Sequence, residues 1–340
     1  MDDVLGELLA ALRVRGVLQS TMRVRAPWAI QGPAENCAVL HYVVAGGCWA
    51  TLTDEVRLPD TARHLRQARL RPGDLVVFPW GAPHTLADRP GREALPLAAV
   101  LPDRTPGQPT VPVRLPGPGP ESTILCAGLS YNSVGESALY RALPPMLVLH
   151  REVVRRHPLL HHTLAALSAE HPGDPVEGEL LRGFETALVL ALRLALRGEA
   201  AERLTDDYPS LRAMRHPGIS RALTAVYARY SEQWTVDLLA REALMSRTGF
   251  TTVFRQLVGE SPGRHLTARR MREAARLLSE TDLALSLIPA AVGYRSSVGF
   301  HLAFRKWTGT TPGEYRDAHP GRRGSPSRGG PRAVAPVLFD

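Results

Sequence analysis

Two patterns of apolar and polar positions divide the chain. Between Met22 and Pro79, short apolar runs such as AVLHYVVAGG, CWATL and DLVVFP are broken by Gly, Pro and Asp, which predicts strands joined by turns. Residues 89–120 are rich in Pro and Gly and predict a long surface excursion, followed by one more strand at STILCAGLSY. From about Leu143 to Gly198 the spacing becomes helical. In the second of these helices Leu181, Phe184, Leu188, Ala191, Leu192 and Ala195 form one stripe, and Val189, Leu190 and Leu194 add apolar surface beside it. A helix apolar over most of its girth is buried from two sides, either in its own core or between that core and a second copy of the chain. The opening MDDVLGELLAALRVRG predicts an amphipathic helix with Val4, Leu5, Leu8, Leu9 and Leu12 on one side. A third helical region spans Ser210 to His319, and after Pro320 the run GRRGSPSRGGPRAVAPV predicts disorder.

The third region repeats itself. At an offset of 50 residues, Ala240 falls on Ala290, Ser246 on Ser296, Phe250 on Phe300, Phe254 on Phe304, Arg255 on Arg305, Gly259 on Gly309, Pro262 on Pro312 and Gly263 on Gly313. Each identity has a local purpose. Ser246 and Ser296 stand where a helix begins and can accept a backbone N–H. The phenylalanines are four apart and share one buried face. Gly259 and Gly309 stand where those helices stop, and Ser261-Pro262 and Thr311-Pro312 pair an N-cap with a proline at the first helical position. Shorter apolar helices, VDLLAREA (236–243) and LIPAAVG (287–293), precede each unit. Short helix, turn and second helix is the helix-turn-helix pattern, whose second helix fits a major groove. A continuous helix from Pro262 to about Ser279 joins the two, so both could enter successive grooves on one face of a duplex, roughly 34 Å apart. A repeat used only for packing would show the same identities.

Charge favours the nucleic-acid reading. Of the net +8, residues 1–209 carry 21 Lys+Arg against 23 Asp+Glu, residues 210–319 carry 16 against 9, and residues 320–340 carry 4 against 1. Lys306 is the only lysine, so a compositional bias explains the choice of Arg over Lys, but it does not explain the segregation. A near-neutral part joined to a basic part suits a sensor or catalyst attached to a polyanion binder. Cys37, Cys48 and Cys126 are too few and too scattered for a disulfide framework, and they form no CxxC pair. Arg193 interrupts the longest apolar stretch, ALVLALRLAL. These features predict a protein with reduced thiols, no membrane span and a cytoplasmic location.

The stretch from WTVDLLAREALMSRTGF to FRKWTGTTPGEYR resembles the DNA-binding domain of AraC-type regulators along its whole length, most specifically at LVGESP, RMREAARLL, VGY and FRKWTGTTPGEYR. The resemblance implies that helices 246–258 and 296–307 read double-stranded DNA. It puts Arg247, Thr248, Thr251 and Thr252 of the first unit, and Ser297, Val298, His301 and Leu302 of the second, at base-facing positions. Ser246, Arg255, Ser296 and Arg305 belong to the same DNA-facing set, and Arg269 and Arg270 are expected to meet phosphate. Thr252 and Leu302 stand where the family often has arginine, Ala284 where a serine usually caps the second unit's first helix, and Pro289 where an alanine is usual. Proline is tolerated if it falls in the first turn. Without those arginines the second unit suits shape or thymine-methyl readout, or discriminates weakly.

In the N-terminal half, GDLVVFPWGAPH (residues 73–84) fits the second cupin motif, G-x5-P-x-G-x2-H, without a mismatch. Together with RAPWAI, HYVVAGGCW and ILCAGLSY it resembles the cupin sensor domain found ahead of some AraC-type domains, from about residue 2 to 148. A cupin enzyme usually holds a metal through two histidines and a glutamate of its first motif plus the histidine of the second. Here that first motif is missing. His84 remains, with Cys37 and His41 spaced by four on one predicted strand, so Cys37, His41 and His84 are the candidate metal or redox set, against a reading as ordinary buried residues. Trp28, Trp49 and Trp80, with His41 and His84, are the candidate lining of an effector pocket, and core packing explains the tryptophans equally well.

The expected fold class is α+β multidomain: an N-terminal cupin β-barrel (1–142), a helical linker and dimerisation segment (143–209), an all-α domain with two helix-turn-helix units (210–319) and a basic tail (320–340). The expected function is a non-enzymatic, homodimeric transcription regulator that binds DNA, senses a small-molecule or redox effector and works with RNA polymerase, with no cofactor. A cupin metal enzyme with a DNA-binding tail, an isomerase or dioxygenase, and a thiol-based redox regulator remain the alternatives.

Overall fold

Alternation along the strands builds the N-terminal half around two cores. The computed structural model describes residues 14–35, 37–58, 60–101, 113–131, 140, 143–169, 177–197 and 208–319. Its strands are β1 (Val14–Arg25), β2 (Ala29–Gly32), β3 (Ala38–Ala45), β4 (Cys48–Leu52), β5 (Gln67–Leu70), β6 (Leu75–Phe78), β7 (His84–Ala87), β8 (Leu95–Pro96), β9 (Val113–Leu115), β10 (Glu121–Tyr131) and β11 (Leu147–Leu149). They form a six-stranded sheet in the order β11-β6-β3-β10-β1-β9 and a five-stranded sheet in the order β5-β4-β7-β2-β8. Successive side chains point to opposite faces. Val43, Ile124 and Cys126 therefore join Ile30, Leu52 and Leu86 in the core between the sheets. Their neighbours Leu40, Tyr42, Leu125 and Ala127 face the other way and pack against helices. Burial on both faces is why these strands read as nearly continuous apolar runs.

Three segments depart from expectation. The Pro/Gly-rich excursion holds β8, a one-turn helix α1 (Leu97–Val100) and β9. The stretch expected to turn helical at Leu143 first contributes β11, which pairs antiparallel with β6 in the register Leu147↔Val77. Of the amphipathic helix expected at the N-terminus, residues 1–13 lie outside the described residues, and Val14–Gly16 already belong to β1. The basic tail 320–340 also lies outside them.

Helices α2 (Arg151–Arg156), α3 (Pro158–Ser168) and α4 (Glu177–Arg197) cover the outer face of the larger sheet. The fully buried stripe of α4 is Leu180, Phe184, Ala187, Leu188, Ala191, Leu192 and Leu196, with Leu181, Val189, Leu190, Leu194 and Ala195 half-buried at its margins. The chain's own core thus accounts for the apolar girth on one side. Then come α5 (Pro209–Arg215), α6 (Pro217–Ala228), α7 (Val236–Glu242), α8 (Arg247–Val258), α9 (Pro262–Glu280), α10 (Ile288–Ala291), α11 (Ser297–Thr308) and α12 (Pro312–Ala318).

The cores of the two helix-turn-helix units differ in what they join. Phe250, Phe254, Leu257 and Val258 of the first unit belong to one continuous cluster with α4 and the outer face of the larger sheet. Phe300 and Phe304 of the second unit belong to a separate cluster with Met271, Ala274, Ala275, Leu278, Ile288 and Val292. The linker helix α9 contributes to both, Leu266 to the first and Met271 to the second.

Candidate functional site

The second helix of each unit is built by local chemistry. Ser246 accepts from Gly249 N at 3.2 Å, and Ser296 accepts from Gly299 N at 3.3 Å. Both helices end on a glycine in the left-handed region, Gly259 at φ 83° and Gly309 at φ 82°, where any Cβ would be strained. All four phenylalanines are fully buried, which fixes the rotation of each helix and so decides which side chains face solvent. Exposed on α8 are Arg247, Thr248, Thr252 and Arg255, with Thr251 half-buried. Thr251 Oγ1 donates within its own helix to the carbonyls of Arg247 and Thr248, both at 3.0 Å, and Arg247 pairs with Asp237 at 3.2 Å. Exposed on α11 are Ser297, Val298, His301, Leu302 and Arg305, with Val298 at 69% and Leu302 at 68%. His301 Nδ1 donates to the Ser297 carbonyl at 2.7 Å, so Nε2 is the ring nitrogen left for another partner.

Helix α10 has four residues where α7 has seven, and its N-cap Leu287 supplies no side-chain bond. Pro289 lies within its first turn, where the missing N–H has no helical acceptor in any case.

Arg269 and Arg270 are turned inward. Arg269 is 5% exposed, pairs with Glu273 at 3.1 Å and stacks its guanidinium 4.3 Å from the Tyr230 ring centroid. Half-buried Arg270 donates to the Tyr230 carbonyl at 2.8 Å and the Glu232 carbonyl at 2.6 Å. The expectation that this pair meets phosphate is corrected. Both instead fasten α9 to the segment after α6, Arg269 by stacking on Tyr230 and Arg270 through two carbonyls, while Glu273 of α9 itself pairs with the buried charge of Arg269. Burial also draws the Arg270 guanidinium below its ordinary pKa, partly offset by the neighbouring Tyr294.

Between the two sheets lies a cavity of about 90 Å³. Leu18, Ser20 and Met22 of β1, Val39 and His41 of β3, His84 and Leu86 of β7 and Cys126 of β10 line it, with Leu97 and Leu101 at the α1 side. His41 Nε2 lies 2.8 Å from His84 Nε2, and His84 Nδ1 lies 2.7 Å from the Ala82 carbonyl. Burial lowers both histidines. It takes His84 to about 4 despite the opposing Ala82 bond, and the neighbouring His84 lowers His41 further, so both rings are neutral near pH 7.

The comparisons with known proteins agree with this architecture. A family model described as "Cupin" matches residues 3–197, more than half of the chain, and one described as "Helix-turn-helix domain" matches residues 239–318. The chain belongs to the AraC-type regulators that carry an N-terminal cupin domain. It is 25% identical to an uncharacterized HTH-type transcriptional regulator of Haemophilus influenzae over 92% of this chain and 98% of that one. It is 26% identical to a putative AraC-like transcription regulator of Streptomyces lividans over 94% and 99% of the two chains. A 124-residue match at 37% identity, covering 36% of this chain and 43% of the other, links it to the RCS-specific HTH-type transcriptional activator RclR of Escherichia coli.

The cupin architecture raises the question of a metal, and the residues of this regulator do not fit one. Two imidazoles bound to one zinc ion at about 2.0–2.1 Å place their nitrogens roughly 3.3 Å apart. His41 and His84 are closer and share a hydrogen bond. Cys37 precedes β3, and its thiol donates to Glu35 at 3.0 Å. Among the described residues no group of three His, Cys, Asp or Glu is placed to hold an ion. The grouping of Cys37 with His41 and His84 is therefore corrected.

The cysteines are poorly suited to redox chemistry, which needs thiolate. Burial raises all three pKa values: Cys37 with a further push from Glu35, Cys48 to about 12 with Asp74 adding, and Cys126 well above its usual value with Cys48 adding.

The three tryptophans are not among the residues that line this cavity. Trp28 is 3% exposed, packs in the inter-sheet core and borders a separate pocket with Arg89, Arg92 and Leu115. Trp49 alternates with buried Cys48 and Ala50 and so faces outward, and Trp80 donates to the Leu143 carbonyl at 3.0 Å. Leu18, Ser20 and Met22 took their places unforeseen, although their period-two spacing was a usable signal. Among the described residues no helix is long and apolar enough to cross a membrane.

Proposed function

We propose that this regulator places α8 and α11 in successive major grooves and that an effector bound between the sheets changes how the two are presented. One observation carries the coupling. The larger sheet shares its inner face with the cavity and its outer face with the core that continues into the first helix-turn-helix unit. Along β3, His41 faces the cavity while Leu40 and Tyr42 press on the helical side. A shift of β3 or β10 by a bound molecule is therefore felt by α4 and, through it, by α8. The second unit has its own core and follows through α9.

In this reading Arg247, Thr248, Thr252 and Arg255 of the first unit and Val298, His301, Leu302 and Arg305 of the second face the duplex. Arg247 reaches DNA by exchanging its exposed Asp237 partner, a pair worth little in water.

Footprinting of the full chain on DNA selected from a random library tests the proposal. Two protected stretches about one helical turn apart are expected, with affinity falling steeply as salt rises. A single stretch, or affinity indifferent to salt, sinks the paired reading. Val39→Phe, which partly fills the cavity, is expected to shift DNA affinity several-fold, and an unchanged footprint and affinity in that variant sinks the sensor half.

A further inference from the structure

His41, one of the residues that line the cavity, carries a buried hydrogen-bond acceptor without a partner. The Ala82 carbonyl can only accept, so His84 carries its proton on Nδ1 and its Nε2 is bare. That bare nitrogen accepts from His41 at 2.8 Å, so His41 carries its proton on Nε2. The relay from one backbone carbonyl through two rings leaves a lone pair on His41 Nδ1, which is buried and has no partner. Ser20 Oγ, also buried without a partner, stands on the other side of Cys126, since Cys126 pairs with Ser20 on β1 and with His41 on β3.

Charge and shape narrow what could answer this acceptor. The described lining includes no lysine or arginine, and it includes Glu35, so a carboxylate ligand finds no countercharge and one repelling group. Leu18, Met22, Ile30, Val39, Leu86 and Leu97 make the rest mostly apolar. A sugar would leave several hydroxyls unpaired there. The volume of about 90 Å³ is below the roughly 150 Å³ of a dry cavity that takes benzene, which favours a slender molecule.

We propose that the cavity selects a small, neutral, chain-like molecule with one hydrogen-bond donor, a short-chain alcohol being the type ligand, whose hydroxyl donates to His41 Nδ1. The inference rests on reading the cavity as the effector site, and it names the chemical class that site takes.

Calorimetric titration of the full chain with butan-1-ol, butanoate and 1-chlorobutane tests it. Butan-1-ol is expected to bind about tenfold more tightly than 1-chlorobutane, the factor one net hydrogen bond carries, and butanoate is expected not to compete. In His41→Phe the alcohol preference is expected to fall to about twofold or less while 1-chlorobutane still binds, which reports an intact cavity. Ser20→Ala is expected to keep the preference. The proposal is overturned if no probe binds, if butanoate matches the alcohol, or if Ser20→Ala rather than His41→Phe abolishes the preference. If alcohol and chloride bind equally and both shift DNA affinity, the sensor reading stands and this one falls. If the alcohol is preferred but DNA affinity does not move, the ligand class stands and the sensor reading falls.

Discussion

Phe304→Ala probes how independently the two helix-turn-helix units are held. Phe304 is fully buried, with ring centroids 5.7 Å from Phe300 and 5.5 Å from Tyr315. Truncating a buried phenylalanine costs about 3–5 kcal/mol, because transfer energy is lost and a cavity is left. The cluster that bears this cost has eight fully buried members, three of them alanine or valine. At about 0.05–0.15 kcal/mol per residue, a unit of roughly 40 residues has a local stability of only about 2–6 kcal/mol. The loss is therefore comparable to everything holding α10, α11 and α12 in place. Local unfolding of the second unit is expected, with the barrel, α4 and the first unit intact, because their core is separate. Segment-resolved hydrogen exchange should show rapid exchange over residues 284–319 and unchanged protection over 236–258, and the footprint should shrink to one protected stretch. Phe254→Ala is the control: the same deletion falls in the cluster shared with α4 and the sheet, so it should lower the stability of that whole unit. If Phe304→Ala accelerated exchange equally in β3, β10 and α11, the two cores would be one cooperative unit and the reasoning would fail.

Three further outcomes are expected. His84 is neutral in the folded chain down to about pH 4, whereas the unfolded histidine takes up a proton near 6.5. Its stabilising contribution is thus complete above pH 6.5 and lost as pH falls toward 4. Urea unfolding should show the parent chain losing about 2 kcal/mol more than His84→Leu between pH 6.5 and 5, and parallel pH profiles would contradict the burial argument. Leu244, in the first unit's turn, has φ 54° and a side chain 79% exposed, so Leu244→Gly relieves backbone strain without losing packing. A gain of about 0.5–1 kcal/mol is expected in the same assay, net of the entropy glycine adds to the unfolded chain, and a loss would show that the side chain packs after all. Leu302 presents an exposed apolar tip on α11. Replacing thymine by uracil in the second half-site should weaken binding about fourfold, the worth of one methyl, and Leu302→Ala should be insensitive to the exchange. Equal sensitivity in both proteins would rule out methyl readout there.

The C-terminal half was the more legible because its signals are short in range. Ser246, Ser261, Ser296 and Thr311 cap helices through backbone groups three residues away, and Gly259 and Gly309 end them by their own φ. Such features need no knowledge of what packs where, so the repeat located the second helix of each unit before any coordinates. The cupin motif likewise marked His84 through turns at Gly73 and Gly81, both with positive φ.

What the chain alone determined is therefore whatever a residue settles with its near neighbours: caps, turns, strand alternation, the segregated charge and the family they spell. Tertiary structure decided the rest. His41 meets His84 only because β3 and β7 lie in facing sheets, 43 residues apart in sequence. Arg269 faces Tyr230 and Glu273 rather than solvent because the rotation of α9 is set by the two cores it joins. Trp28 fills the core and Ser20 faces the cavity because the order of strands chooses which side of each pleat is inside. Spacing puts Leu18, Ser20 and Met22 on one face of a strand, but which face is inside, and what meets it there, depends on the simultaneous placement of distant segments.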